Sequence, residues 1–225
     1  MTAQTARTTG RRAGSASTAG TEGSGREAVL KSALEAFFAH GFHDTSMRKI
    51  ADGAGTAISH AYYYFPSKVE ILRTLMIGVT TDLIHVLEAA RDAAGDDPVE
   101  RLAALVRNHV RLHTERQAES FVANTELRSL SAEERQEIVA LRDHIATLFK
   151  DAVDDGLRRG CFHTANRDEA VLAIVTMCTA VASWYRSDGP KAPEVIADGY
   201  AALALDMLGC RRGSAVAGKP TAQAG

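Results

Sequence analysis

The residues best equipped for chemistry stand together at Tyr62-Tyr63-Tyr64-Phe65-Pro66-Ser67-Lys68. Three phenols, a hydroxyl and an ammonium packed this closely are hard to explain as core. The residues just before them, Ala57, Ile58, Ser59 and His60, have short or compact side chains and follow a glycine turn at Gly55. Hydroxyls and a cation suit phosphate oxygens, and compact side chains suit the floor of a DNA groove. Two short helices about a glycine turn would form a helix-turn-helix lying on duplex DNA.

That arrangement needs helices to hold it, and the hydrophobic period supplies them. Val29, Leu30, Ala33, Leu34, Phe37 and Phe38 line one face of a helix beginning at 26 and stopped by His40-Gly41. Thr45 is placed to cap a second helix over 46–53, with Met47, Ile50 and Ala51 inward, and a third helix covers 57–63. Burying Val29, Ala33, Phe37, Met47, Ile50, Ala54 and Ala61 together leaves an outward face of Ala57, Ile58, Ser59, His60, Tyr62 and Tyr63. For Tyr62 a core role stays open, because one ring face must pack.

The rest of the chain continues in helices. Ser67 caps a long fourth helix. Asp97 and Pro98 open a fifth, and a sixth runs to about 130. Ser131-x-x-Glu134 is a capping box before a seventh, Asn166-x-x-Glu169 caps an eighth, and Pro193 starts a ninth. The predicted fold class is all-α. Four segments follow: a basic irregular tail over 1–24, a DNA-binding unit over 25–70, a ligand-binding and dimerisation unit over 71–209, and a second irregular tail over 210–225. The first tail carries Arg7, Arg11 and Arg12, a candidate arm for a DNA groove or simply a solvated end.

Charge and cysteine usage bound the function. The net charge is −2, yet residues 1–70 hold 8 Lys/Arg against 6 Asp/Glu, while residues 71–225 hold 18 against 22. A slightly basic end on an acidic body fits a DNA-contacting head. The three cysteines, Cys161, Cys178 and Cys210, are widely spaced without a CxxC, so reduced thiols and a cytoplasmic location are expected. No leader and no membrane span are expected either, because the longest uncharged stretch, 170–185, falls short of about 20 apolar residues.

From residue 26 to residue 72 the chain resembles the TetR family of transcriptional repressors. The resemblance is carried by Phe37, Gly41-Phe42, Thr45-Ser46, Ile50-Ala51, Ala54-Gly55, Tyr62, Phe65 and Ser67-Lys68. It implies a nine-helix architecture, a homodimer and a palindromic operator. It also implies that Thr45, Ser46, Tyr62, Tyr64 and Lys68 grip phosphates while Arg48 reaches a base edge. The family's usual run after the glycine, Val-Ser-Lys-Gly-Thr-Leu, is replaced here by Thr56-Ala57-Ile58-Ser59-His60-Ala61. Thr56 would then take over the cap. Readout would rest on Ala57 and Ile58 against thymine methyls, with hydrogen bonds from Ser59 and His60.

The strings at 126–130 and 182–190 resemble a subgroup of these repressors that answers to acyl-CoA thioesters of fatty-acid or steroid catabolism. The helix at about 167–187 is apolar nearly all round, and the one at 193–209 carries a second stripe, so together they would form the dimer interface. A ligand cavity is expected among helices four to eight. Its candidate aliphatic and aromatic lining is Leu83, Leu87, Phe121, Phe149, Met177 and Trp184. His109, His113 and Arg142 are its candidate polar groups. Arg142 suits an anionic ligand or an ordinary surface ion pair. His109 and His113, four apart, have metal-ligand spacing, but no further ligand stands beside them and neither cofactor nor metal is expected.

No catalytic motif appears: GxSxG, the P-loop and HExxH are all absent. The chain therefore reads as a repressor released by a small hydrophobic effector, not as an enzyme. A drug sensor controlling an efflux gene and a helical scaffold without DNA binding remain the alternatives.

Overall fold

The computed structural model describes residues 17–210. Among them it is all-helical, with nine α-helices and one 3-10 turn. In order these are α1 (Ser17–His40), α2 (Met47–Gly53), α3 (Ile58–Tyr64), α4 (Lys68–Ala93), α5 (Pro98–Glu115), α6 (Gln117–Thr125), the 3-10 turn (Glu126–Ser129), α7 (Gln136–Arg158), α8 (Arg167–Trp184) and α9 (Pro193–Met207). Arg7, Arg11, Arg12 and residues 211–225 lie outside the described residues. The first tail was expected to run to residue 24, but α1 already begins at Ser17. Once residues 26–40 are held by packing, each residue added at the N-terminus gains a hydrogen bond without a new nucleation cost.

The caps explain most boundaries. Ser67 Oγ accepts the Glu70 N–H at 3.1 Å, and Asp97 Oδ1 accepts that of Val99 at 2.8 Å, with Pro98 beginning α5. The Ser131–Glu134 box forms in both directions, 3.2 and 2.7 Å, but it closes a turn one residue short of α7. Two expectations fail. Asn166 occupies the α8 cap position without a side-chain bond: its ψ of 61° lies outside the extended backbone of a capping residue, and its N–H is held by Thr164 Oγ1 in a local turn. Ser46, not Thr45, caps α2, through the Lys49 N–H at 3.2 Å.

α1 to α3 close a small core of Val29, Phe37, Ile50, Ala61 and Phe65. Arg26 lies over the Phe65 ring at 4.8 Å, sealing its edge. Gly41, at φ 77°, ends α1 in the left-handed conformation that favours glycine. α4 leaves this head and enters the larger bundle, where α5 is central and packs on α4, α7, α8 and α9. Leu87, Leu102, Leu105, Ile138, Phe149 and Phe162 are fully buried there, each contributing about 1.5–3 kcal/mol. Gly156 lets the Phe162 ring lie directly on α7; a methyl at that position would overlap the ring. Among the described residues, no helix is long and apolar enough to cross a membrane.

Candidate nucleic-acid interface and ligand cavity

The outward face of α3 and its approaches is open. Ala57, Ile58, Ser59, His60, Tyr62 and Tyr63 are all exposed, with Tyr63 at 70% and Tyr62 at 49%. Tyr62 therefore does not take the core role. Arg48 and Ser46 are exposed on the neighbouring helix, although Ser46 already accepts one backbone N–H. Tyr64 is half-buried: its ring meets Tyr63 at 5.2 Å and its hydroxyl lies against Gly25, where any side chain would collide.

Three expected contacts are placed differently. Thr45 is buried, and its hydroxyl donates back to the carbonyls of Gly41 (2.9 Å) and Ala36 (3.3 Å), so no hydroxyl is left for a phosphate. Thr56 does not cap α3; its hydroxyl lies 3.5 Å from His60 Nδ1, and the cap position falls to Ala57. Lys68 turns inward, donating to the carbonyls of Phe42 (2.6 Å) and Thr45 (2.7 Å), with that of His43 at 3.5 Å. Its ammonium also sits 4.2 Å from the centre of the Phe42 ring. Burial lowers the Lys68 pKa, while the charges of Asp44 and Glu126 act in the opposite direction. The three donors of one ammonium are thus spent on fastening the α1–α2 loop.

A measurable consequence follows for Lys68. Replacing it by Met should cost about 1–3 kcal/mol of stability, seen in denaturant melts. The slope of log affinity against log salt for DNA should stay unchanged. A loss of about 0.9 in that slope would instead identify a direct phosphate contact.

The bundle holds a half-open cavity of about 370 Å³. Leu83 on α4, His109 and His113 on α5, Phe121 on α6 and Arg142 on α7 line it. Four expected residues do not. Leu87 and Phe149 are sealed in the core, Phe149 backing the His109 ring at 5.7 Å. Met177 lies on a different side of α8 from the lining residues Val175, Thr179 and Ala182. Trp184 faces outward and stacks on Tyr200 at 6.3 Å. A helical period marks which residues point inward, but not which inward residues meet a void and which meet a neighbour.

The polar lining is distinctive. Arg142 Nη2 donates to the Ala123 carbonyl at 2.8 Å, and among the described residues no carboxylate pairs with it. The surface ion pair considered for it does not form, and burial lowers its pKa. His113 Nδ1 lies 3.0 Å from the His109 carbonyl, which only accepts, so that nitrogen carries the proton. Burial, opposed by that hydrogen bond and reinforced by Arg142, pushes the His113 pKa down to about 4. His109 is likewise held well below its ordinary value by burial and by His113. Both rings, 4.6 Å apart, are neutral at pH 7. No third His, Cys, Asp or Glu among the described residues joins them in a metal-holding group. His109 Nδ1 and Ser120 Oγ are buried without a partner. Ser120 and Thr179, which meets His109 Nε2 at 3.3 Å, were missed in the sequence; polar residues recurring on inward faces were the available signal.

Side-chain contacts from α6 and the 3-10 turn after it reach the head. The Phe121 ring meets Phe38 of α1 edge-on at 5.3 Å. Glu126, one residue after α6, accepts the Phe42 N–H through Oε1 (3.3 Å) and the Ser129 hydroxyl through Oε2 (2.7 Å). Phe42 is the residue whose carbonyl Lys68 holds. Of the remaining large exposed apolar side chains, five stand on α8 and α9, Leu172 at 68%, Val195 at 60%, Leu203 at 56%, Trp184 and Met207, while Val86 on α4 and Val139 on α7 stand apart.

The comparison with known proteins agrees with this architecture. Residues 29–75 match the bacterial regulatory proteins of the tetR family, and residues 95–208 match the tetracyclin repressor-like C-terminal domain. The chain belongs to the TetR family of DNA-binding transcriptional regulators, which are not enzymes. It is 26% identical over 189 residues to the transcriptional repressor KstR2 of Mycobacterium tuberculosis, covering 83% of this chain and 94% of that one. Among solved structures, it is similar to a TetR-family regulatory protein from Rhodococcus RHA1, with TM-score 0.78, 28% identity, and 83% and 98% of the two chains covered. It also shares the fold of AibR, solved with isovaleryl coenzyme A and operator DNA, at TM-score 0.73, 22% identity, and 80% and 97% covered.

Proposed function

We propose that this protein is a homodimeric repressor that binds a palindromic operator and is released by a small hydrophobic effector, an acyl thioester of fatty-acid or steroid catabolism. The observation carrying the reading is one helical body that holds an open recognition face and a half-open, largely apolar cavity, joined through α4 and through Phe121 and Glu126. The sequence likeness to the repressor KstR2 and the fold shared with the acyl-CoA-binding AibR support the choice of effector. A cavity of about 370 Å³ lies at the small end of the roughly 300–1,000 Å³ typical of ligand pockets, so in this reading it takes the acyl part and leaves coenzyme A outside.

In this reading Ala57, Ile58, Ser59 and His60 meet the major groove. Tyr62, Tyr63, Tyr64, Ser46 and Arg48 approach the backbone. The exposed apolar face of α8 and α9 seats a second copy, setting the two heads about 34–36 Å apart. The effector favours a spacing that no longer matches successive grooves.

A gel shift on the gene's own upstream DNA, with and without decanoyl-CoA, tests the reading. A shift reversed by the thioester is expected; no shift on any upstream fragment would sink it. In the same assay, His60→Ala should weaken operator binding about tenfold and binding to random DNA hardly at all, the loss expected for one base contact of 1–3 kcal/mol. Equal losses on both would remove His60 from base reading.

A further inference from the structure

We propose that the effector's buried part carries a carboxylate of its own, which pairs with Arg142, so that the cavity selects singly charged apolar acids over neutral compounds of the same shape. The proposal rests on the effector-cavity reading above and adds the chemistry of the ligand.

The guanidinium supports this most directly. It lies in the cavity wall, spends one donor on the Ala123 carbonyl, and meets no carboxylate among the described residues. Arginine has five N–H donors and stays charged, so a fork facing a mostly apolar space is a costly arrangement unless something anionic fills it. A planar carboxylate fits such a fork with two parallel hydrogen bonds.

The number of charges selects the anion. His109 and His113 line the same cavity and are neutral, so Arg142 supplies the one positive charge. One guanidinium balances one carboxylate. A phosphate, with nearly two charges at pH 7, would be left partly uncompensated. Ser120 and Thr179 add hydroxyl-bearing residues to the same lining. Ser120 Oγ and His109 Nδ1 have no protein partner but lie beneath the wall's surface, so the pairing rests on Arg142.

The acid has two possible sources, a free carboxylic acid or a thioester whose acyl chain ends in a second carboxylate. Titration of the full chain with decanoate, 1-decanol, decanoyl-CoA and the mono-CoA thioester of decanedioate separates them, read by thermal shift and by release of operator DNA. Decanoate is expected to bind about tenfold or more tighter than decanol, the size of a charge-assisted hydrogen bond. In Arg142→Gln that gap should close with decanol binding kept, and Arg142→Lys should restore part of it. Melting of each variant without ligand reports its folding. Release by decanoate itself assigns a free acid; release only by thioesters, with the decanedioate thioester stronger than decanoyl-CoA, assigns the second source.

Equal affinity for decanoate and decanol, or a gap that survives Arg142→Gln, overturns the proposal. If decanol or decanoyl-CoA still binds and releases DNA in that case, the cavity remains the effector site and only its charge preference is wrong. If no compound of the panel binds at millimolar concentration, the effector-cavity reading fails with it.

Discussion

The double change Leu172→Glu and Leu203→Glu is expected to turn the protein into a folded monomer whose operator affinity falls by about 10²–10⁴-fold. Both side chains are mostly exposed within one chain, so a carboxylate there stays in water and the single-chain fold loses nothing. In a dimer seated on this face the same carboxylates would be buried opposite their symmetry mates, unpaired and like-charged, at a cost of several kcal/mol. The factor in affinity comes from geometry. Two linked heads on one palindrome bind the second half-site at an effective millimolar concentration, and a monomer forgoes that gain. Sedimentation and a gel shift on full and half operators check both halves. A double variant that remains dimeric would place the interface elsewhere.

The second large effect concerns Glu126. Its replacement by Ala removes the Glu126 bond to the head, the one from the Phe42 N–H, together with the Ser129 hydroxyl bond that fixes the carboxylate within its own turn. Operator affinity without effector should change little, because the recognition face is untouched. Effector binding should also survive, because Glu126 does not line the cavity. What should fall is the coupling between the two, by the 5- to 150-fold that corresponds to 1–3 kcal/mol. Gel shifts across a decanoyl-CoA titration measure it as the ratio of operator affinities with and without the thioester. A variant released as readily as the wild type would leave the coupling to α4 and to the Phe38–Phe121 contact.

The parts of the fold that were legible were those set by local chemistry. Ser67 and the Asp97-Pro98 pair cap their helices because their extended backbone aims the side-chain oxygen at the free N–H groups of the first turn. The face from Ala57 to Tyr63 was legible because the opposite face is apolar. Lys68 was not. A lysine at a helix start is equally suited to a phosphate and to a ring of backbone carbonyls, and the 26-residue separation from Phe42 hides which is nearer. Thr45 and Thr56 failed for a similar reason: a hydroxyl has several backbone partners within reach, and tertiary packing chooses among them. In the cavity, Leu83 and Leu87 differ by one helical turn, and Ile145 and Phe149 by another. Whether such a neighbour meets empty space depends on the far helix, which periodicity does not record. Glu126 lay within a string already singled out at 126–130, but its partner is 84 residues away.

The position of Trp184 has a practical side. It is the chain's single tryptophan, about half exposed and stacked on Tyr200 at the edge of the α8–α9 face. An indole in that setting emits at long wavelength while water touches it and shifts toward the blue when a second surface excludes that water. If the proposed dimer forms on this face, the molecule carries its own optical gauge of it, readable by simple dilution without a label.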